Sequence, residues 1–185
     1  MSQPTRRLVL AGLATTLALP TSPIATPALA QSTPVGAKLV MEDWLRGRTT
    51  AKGFFSIPLS NTRREFTMVN QGRWDGRVFT LVEDFLFADG ERDRKTWRFT
   101  KLSPTRYSGV REDTVGEAEV IQEGDIVRMR YVLRVPTGTT TTDLGFEDVL
   151  WLDRRGILVN EAVIRLGFLP IGSAYVEFER PRRRR

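Results

Sequence analysis

Glu83 lies in the run FTLVEDFLF, where Phe79, Leu81, Phe85 and Phe87 share its side-chain parity. A carboxylate held among such neighbours is costly as a charge. It takes up a proton near neutral pH or finds a partner. Two further segments repeat the pattern. In GFEDVLWLD, Asp148 shares a face with Phe146, Leu150 and Leu152, and in ILVNEAVIRL, Asn160 shares one with Leu158, Ala162, Ile164 and Leu166. Paired carboxylates with raised affinity for protons can act as general acid and base. The same groups can instead fix the polar end of an otherwise apolar ligand, or simply satisfy one another and lock strand register.

Other chemistries are excluded by composition. The 185 residues contain no cysteine and no histidine, so triads built on Cys or His, the usual zinc sites, disulfides and a lipid anchor on an N-terminal cysteine have no residues to form them. Neither Gly90 nor Gly124 sits in a phosphate-binding pattern that opens a helix, and no Asp/Asn loop has calcium spacing. No cofactor or metal is therefore expected.

The elements that must carry these residues show period-two alternation from residue 51 to residue 179. Ten strands are expected, near 51–58, 64–74, 77–87, 93–101, 106–113, 117–122, 125–135, 144–152, 157–166 and 174–179. In DIVRMRYVLRVP, Val127, Met129, Tyr131, Leu133 and Val135 face one way and Arg128, Arg130 and Arg134 the other. Turn chemistry punctuates the strands at Trp74-Asp75-Gly76, Asp89-Gly90, Glu123-Gly124-Asp125, Pro136-Thr137-Gly138 and Arg154-Arg155-Gly156.

No long helical stretch intervenes, so the sheet should be an antiparallel meander. Sequential hairpins with short connections favour an all-β, up-and-down barrel of the lipocalin (calycin) type over a Greek-key sandwich, and closure removes exposed edges. Before the strands, residues 37–47 are read as a short helix with Leu39, Val40, Trp44 and Leu45 on one side. Gly53, Gly109, Gly116 and Gly167 are expected at bulges, bends or close approaches within the sheet, and Thr139–Thr142 in an extended loop or edge.

In such a barrel the candidate ligand-binding residues are Glu83, Trp97, Tyr107, Tyr131, Asp148 and Asn160, with Glu83 and Asp148 the candidate catalytic groups. The competing structural reading pairs Glu83 and Asp148 with Asn160, Trp97, Tyr107 or an arginine such as Arg94.

The two ends are read separately. Arg6-Arg7, the apolar run Leu8–Leu19 and the A-x-A site Ala28-Leu29-Ala30 form a cleavable export signal over residues 1–30. Thr5-Arg6-Arg7-Leu8-Val9-Leu10 resembles the twin-arginine export motif, with an ordinary secretory signal as the alternative. Either route takes the protein out of the cytoplasm, into the periplasm of a Gram-negative bacterium. Residues 31–36 form a linker and residues 37–179 a single domain.

The chain carries 28 basic and 22 acidic residues, but Arg6, Arg7 and the terminal Arg180 and Arg182–Arg185 account for the excess. The body is close to neutral and gives no reason to expect nucleic acid. The tail, residues 180–185, is read either as a solvated end or as a contact to anionic membrane through Arg180, Arg182, Arg183, Arg184 and Arg185.

The ordered series Gly53-Phe54, Arg64 with Phe66, Trp74-x-Gly76, Leu81-x-Glu83-x-Phe85, Asp89-Gly90, Arg94, Trp97, Tyr107-x-Gly109, Asp113-x-x-Gly116-x-Ala118, Gly124, Tyr131, Asp148, Asn160 and Gly167-Phe168 resembles the bacterial "domain of unknown function 3833" family. The resemblance covers nearly all of the chain after the signal. It implies a small envelope β-barrel domain and directs attention to Glu83, Asp148 and Asn160. It implies no reaction. Many members carry a lipoprotein cysteine, which this chain lacks.

The functional expectation is a periplasmic lipocalin-like protein that binds a small, largely apolar molecule of fatty-acyl or isoprenoid type. The alternatives are an acid/base isomerase or hydratase acting on a hydrophobic substrate through Glu83 or Asp148, and an envelope scaffolding or interaction protein.

Overall fold

The computed structural model describes residues 39–137 and 139–181. The predicted export signal, the linker and Arg182–Arg185 lie outside the described residues. Ten antiparallel strands follow one another: β1 (Gly47–Ile57), β2 (Thr62–Trp74), β3 (Val78–Phe87), β4 (Arg92–Ser103), β5 (Arg106–Val110), β6 (Ala118–Glu123), β7 (Ile126–Thr137), β8 (Thr140–Leu152), β9 (Leu158–Leu166) and β10 (Leu169–Glu179). Each pairs with its neighbours in sequence, and β1 closes on β10, so the expected up-and-down barrel is the one observed.

Closure changes the status of the threonine run. Thr140, Thr141 and Thr142 belong to β8 and pair with Thr137, Pro136 and Val135 of β7, because a closed sheet leaves no edge for them to occupy. Gly116 and Gly167 likewise lie in connections rather than within strands, with φ of +75° and +59°. Gly53 and Gly109 do mark close approaches. A Cβ on Gly109 would come within 2.8 Å of the Phe99 ring.

Alternation places the connections at two ends. One end holds the turns after β2, β4, β6 and β8 together with the single helical turn α1 (Met41–Trp44). This end is closed. Leu39, Met41, Trp44 and Leu45 are all buried there beside Phe79, Val120, Val127 and Leu158, and each such side chain contributes roughly 1.5–3 kcal/mol through burial. Val40 is only half-buried, and the helix is one turn long, shorter than the span expected. The backbone of Leu45 passes so close to β2 that a Cβ on Gly72 would sit 2.0 Å from its carbonyl oxygen.

A polar group completes this floor. Glu42, on α1, is buried and accepts a hydrogen bond from Tyr107 Oη at 2.5 Å and another from Lys101 Nζ. Arg180 donates to the carbonyl oxygens of Trp44 and Asp43 at 2.7 and 2.6 Å, with its guanidinium 4.8 Å from the Trp44 ring centre. The sequence pattern assigns Arg180 to a basic tail; in the structure it belongs to the barrel floor, where the carbonyls at the end of a helix attract a cation.

The other end carries the turns after β1, β3, β5, β7 and β9 and forms the mouth. Leu59 and Phe168 stand at the tips of two of its connections, 96% and 85% exposed.

Candidate functional site

Between floor and mouth the barrel encloses a cavity of about 580 Å³. Its base is formed by Met41 and Leu45, and its wall includes Phe66, Phe85, Trp97 and Phe146. The rings pack as a continuous aromatic layer. Trp97 stacks on Phe99 with centroids 5.1 Å apart, Tyr131 stacks on Phe146 at 5.1 Å, and Trp97 meets Tyr131 edge-on at 5.2 Å. Such pairs add to area burial and hold the rings in fixed orientations.

Into this lumen project Glu83 from β3, Asp148 from β8 and Asn160 from β9. The register explains how the last two meet. Asp148 is opposite Met129 on one side and Ala162 on the other, so Tyr131 and Asn160 are its diagonal neighbours on the inner face, within reach of polar side chains. Asn160 Nδ2 donates to Asp148 Oδ2 at 2.9 Å and Tyr131 Oη donates to the same oxygen at 3.2 Å. Asp148 Oδ1 and Asn160 Oδ1 are buried without a hydrogen-bond partner among the described residues.

Glu83 is 7% exposed. Among the described residues its carboxylate has no hydrogen-bond partner; the nearest cation, Arg111 Nη1, is 3.8 Å from Oε2. Burial pushes its pKa up to about 7, against the attraction of Arg111 and aided by repulsion from Asp148, Asp113 and Glu112. Burial also raises the Asp148 pKa, to about 6, while the hydrogen bonds from Asn160 and Tyr131 and the charge of Arg111 oppose it. The Tyr131 phenol is pushed well above its ordinary value by burial and by the adjacent Asp148 charge.

Arg111 was not anticipated. Its Nε and Nη2 hold Asp113 at 2.7 and 3.2 Å, and its guanidinium carbon lies 5.0 Å from the Trp97 ring centre. The connection after β5 is drawn to the mouth by a turn in which Thr114 N bonds Arg111 O at 3.1 Å, and it is tied to β7 where Arg134 N donates to Asp113 O at 2.8 Å. The signal was present in the sequence: the parity that turns Tyr107 and Gly109 inward carries Arg111 inward as well.

Asn70 is a second inward polar residue that was not anticipated. It is fully buried, opposite Glu83 in the β2–β3 register, and its Nδ2 donates to Thr49 Oγ1 at 3.2 Å. Asn70 has the parity of Phe66 and Met68.

The structure therefore brings together Glu83, Trp97, Tyr131, Asp148 and Asn160 around one cavity. It does not bring Tyr107 to them. Tyr107 points inward, but it is four residues from Arg111 along the chain, a climb of roughly 13 Å in extended backbone. Its hydroxyl serves Glu42 in the floor. Arg94, offered as a partner for the buried carboxylates, lies on the outer face and pairs with Asp84.

Chemically, the site is an apolar chamber with a polar group on its wall that contains two carboxylates of raised pKa, one neutralised arginine and two free acceptors. No group of His, Cys, Asp and Glu among the described residues has the geometry of a metal site. No curated protein matches the chain. The model of the family described as protein of unknown function (DUF3833) matches residues 21–180, and the chain belongs to that family.

Proposed function

We propose that this protein is an exported, lipocalin-like carrier of the bacterial envelope that holds a small, largely apolar molecule of fatty-acyl or isoprenoid type in its lumen. One observation carries the reading: a cavity of about 580 Å³ lies inside a closed barrel and is walled mainly by aromatic and aliphatic side chains. This volume falls in the range of roughly 300–1,000 Å³ that ligand pockets occupy, and a few convergent polar groups on an apolar wall are what such pockets use to orient a ligand. Export rests on Arg6-Arg7, the apolar run that follows and Ala28-Leu29-Ala30.

The test is organic extraction of the purified protein followed by mass spectrometry, together with displacement of N-phenylnaphthylamine by added lipids. A co-purifying lipid, or saturable displacement at one site per chain, supports the reading. A lumen that neither retains nor takes up an apolar molecule overturns it.

A second reading is favoured by Glu83, whose pKa of about 7 and lack of a hydrogen-bond partner among the described residues suit a general acid or base facing an apolar substrate. Glu83→Gln separates the two: a carrier keeps its affinity, whereas an isomerase or hydratase loses turnover with binding intact.

A further inference from the structure

We propose that the occupant of the lumen presents a hydrogen-bond-donating head, a hydroxyl or a protonated amine, to Asp148 Oδ1 and Asn160 Oδ1. This rests on the carrier reading above and names the chemistry of the ligand's polar end.

The donors beside Asp148 are already committed. Tyr131 Oη and Asn160 Nδ2 both donate to Asp148 Oδ2, which fixes the amide's orientation, because turning it over would set its oxygen against the carboxylate. Arg111 uses Nε and Nη2 on Asp113 and turns Nη1 toward Glu83. What remains beside Asp148 is acceptor capacity: Asp148 Oδ1 and Asn160 Oδ1, both buried and without a partner among the described residues, on residues that line the cavity. Leaving such groups unmatched is expensive, and a ligand that supplies the missing donor recovers the loss.

Charge selects in the same direction. Three cationic side chains, Arg64, Lys95 and Arg111, line the cavity against five carboxylates. A free carboxylate head would enter a negative chamber and find Arg111 already neutralised. An uncharged hydroxyl avoids that repulsion, and an ammonium is attracted.

The experiment uses the full chain, N-phenylnaphthylamine as the displaced probe, and four ligands of equal chain length at neutral pH: dodecanol, dodecylamine, dodecanoic acid and methyl dodecanoate. The alcohol and the amine are expected to bind about tenfold or more tighter than the ester and the acid. Asp148→Asn should narrow the gap: its amide oxygen takes over the bonds from Tyr131 and Asn160, so a donor is presented to the lumen, the ester gains on the alcohol, and the amine, which cannot accept, loses most.

The series on the unaltered chain stands even if the variant does not fold. Equal binding of all four, or preference for the acid, overturns this inference and leaves the carrier reading intact. Binding of none overturns both.

Discussion

Arg111 Nη1 faces Glu83 Oε2 at 3.8 Å while the rest of the guanidinium grips Asp113, so one largely buried cation serves two carboxylates, one from strand β3 and one from the connection after β5. Removing the cation leaves Glu83 in low dielectric without it and leaves Asp113 with Lys95, 3.5 Å away, as its countercharge. Arg111→Met should cost about 3–5 kcal/mol of stability and raise the Glu83 pKa further. In Arg111→Met/Glu83→Gln the loss above neutral pH should be smaller than in Arg111→Met alone, since glutamine needs neither a countercharge nor a proton. Urea unfolding of the four proteins in this cycle measures the coupling; strictly additive effects would show that the two residues do not interact.

Glu83 also makes stability depend on pH, and the sign follows from its raised pKa. An unfolded chain releases the proton near the ordinary value of 4.5, whereas the folded chain keeps it to about 7. Between these values the folded state binds more protons, so its stability falls as pH rises. The gap corresponds to about 3 kcal/mol, fully lost above about pH 8. Asp148, raised to about 6, acts in the same direction. Glu83→Gln imitates the protonated form; it should match the parent at about pH 4 and exceed it increasingly toward pH 8. Chemical denaturation at a series of pH values gives the comparison, and parallel curves would remove Glu83 as the source.

Parity in the sequence was enough to place Glu83, Asp148 and Asn160 inside, because a strand with one dry face permits only one assignment. It also contained Arg111 and Asn70, which were passed over because arginine and asparagine are ordinary on outer faces. Height along the barrel axis is what parity cannot supply. Tyr107 has the correct face and the wrong level, since the register of β4 with β5 and the position of the helix decide which inward residues share a layer. The meeting of β3 with β8 and β9 across the lumen is a product of closure between β1 and β10, a long-range pairing that no local pattern encodes. Arg180 was read from composition as tail because its partners, the carbonyls of Asp43 and Trp44, lie at the opposite end of the chain.

The floor and the lumen should separate experimentally. Tyr107→Phe keeps the ring and removes the donor to the buried Glu42 carboxylate. Hydrogen bonds to charged groups are worth about 1.5–3 kcal/mol, and the loss should fall in that range. Affinity for dodecanol should be unchanged, because Tyr107 lies below the cavity. Unfolding and probe displacement on the same variant check both halves; a large fall in affinity without loss of stability would place Tyr107 in the binding site after all.

Asp148 predicts a pH dependence of binding opposite in sense to that of stability. The carboxylate sees Tyr131 on β7, Asn160 on β9, the Arg111 guanidinium from the connection after β5 and Glu83 from β3. Above its pKa of about 6 the Oδ1 atom is a charged acceptor. As pH falls through that value the carboxyl gains a proton on the oxygen that bears no other hydrogen bond, Oδ1, and becomes a donor. A protonated amine then meets a donor where it needs an acceptor, and loses the countercharge as well. Dodecylamine affinity should therefore drop about tenfold or more between about pH 8 and pH 5, while methyl dodecanoate, which carries no donor, should bind equally or better at the lower pH. Protonation of Glu83 over the same interval removes a second negative charge and deepens the loss for the amine; dodecanol, whose hydroxyl both donates and accepts, should change little. Displacement titrations of the three ligands across this interval, repeated with Asp148→Asn, decide the matter: the variant should abolish the Asp148 part of the pH response, and an unchanged profile would assign it elsewhere.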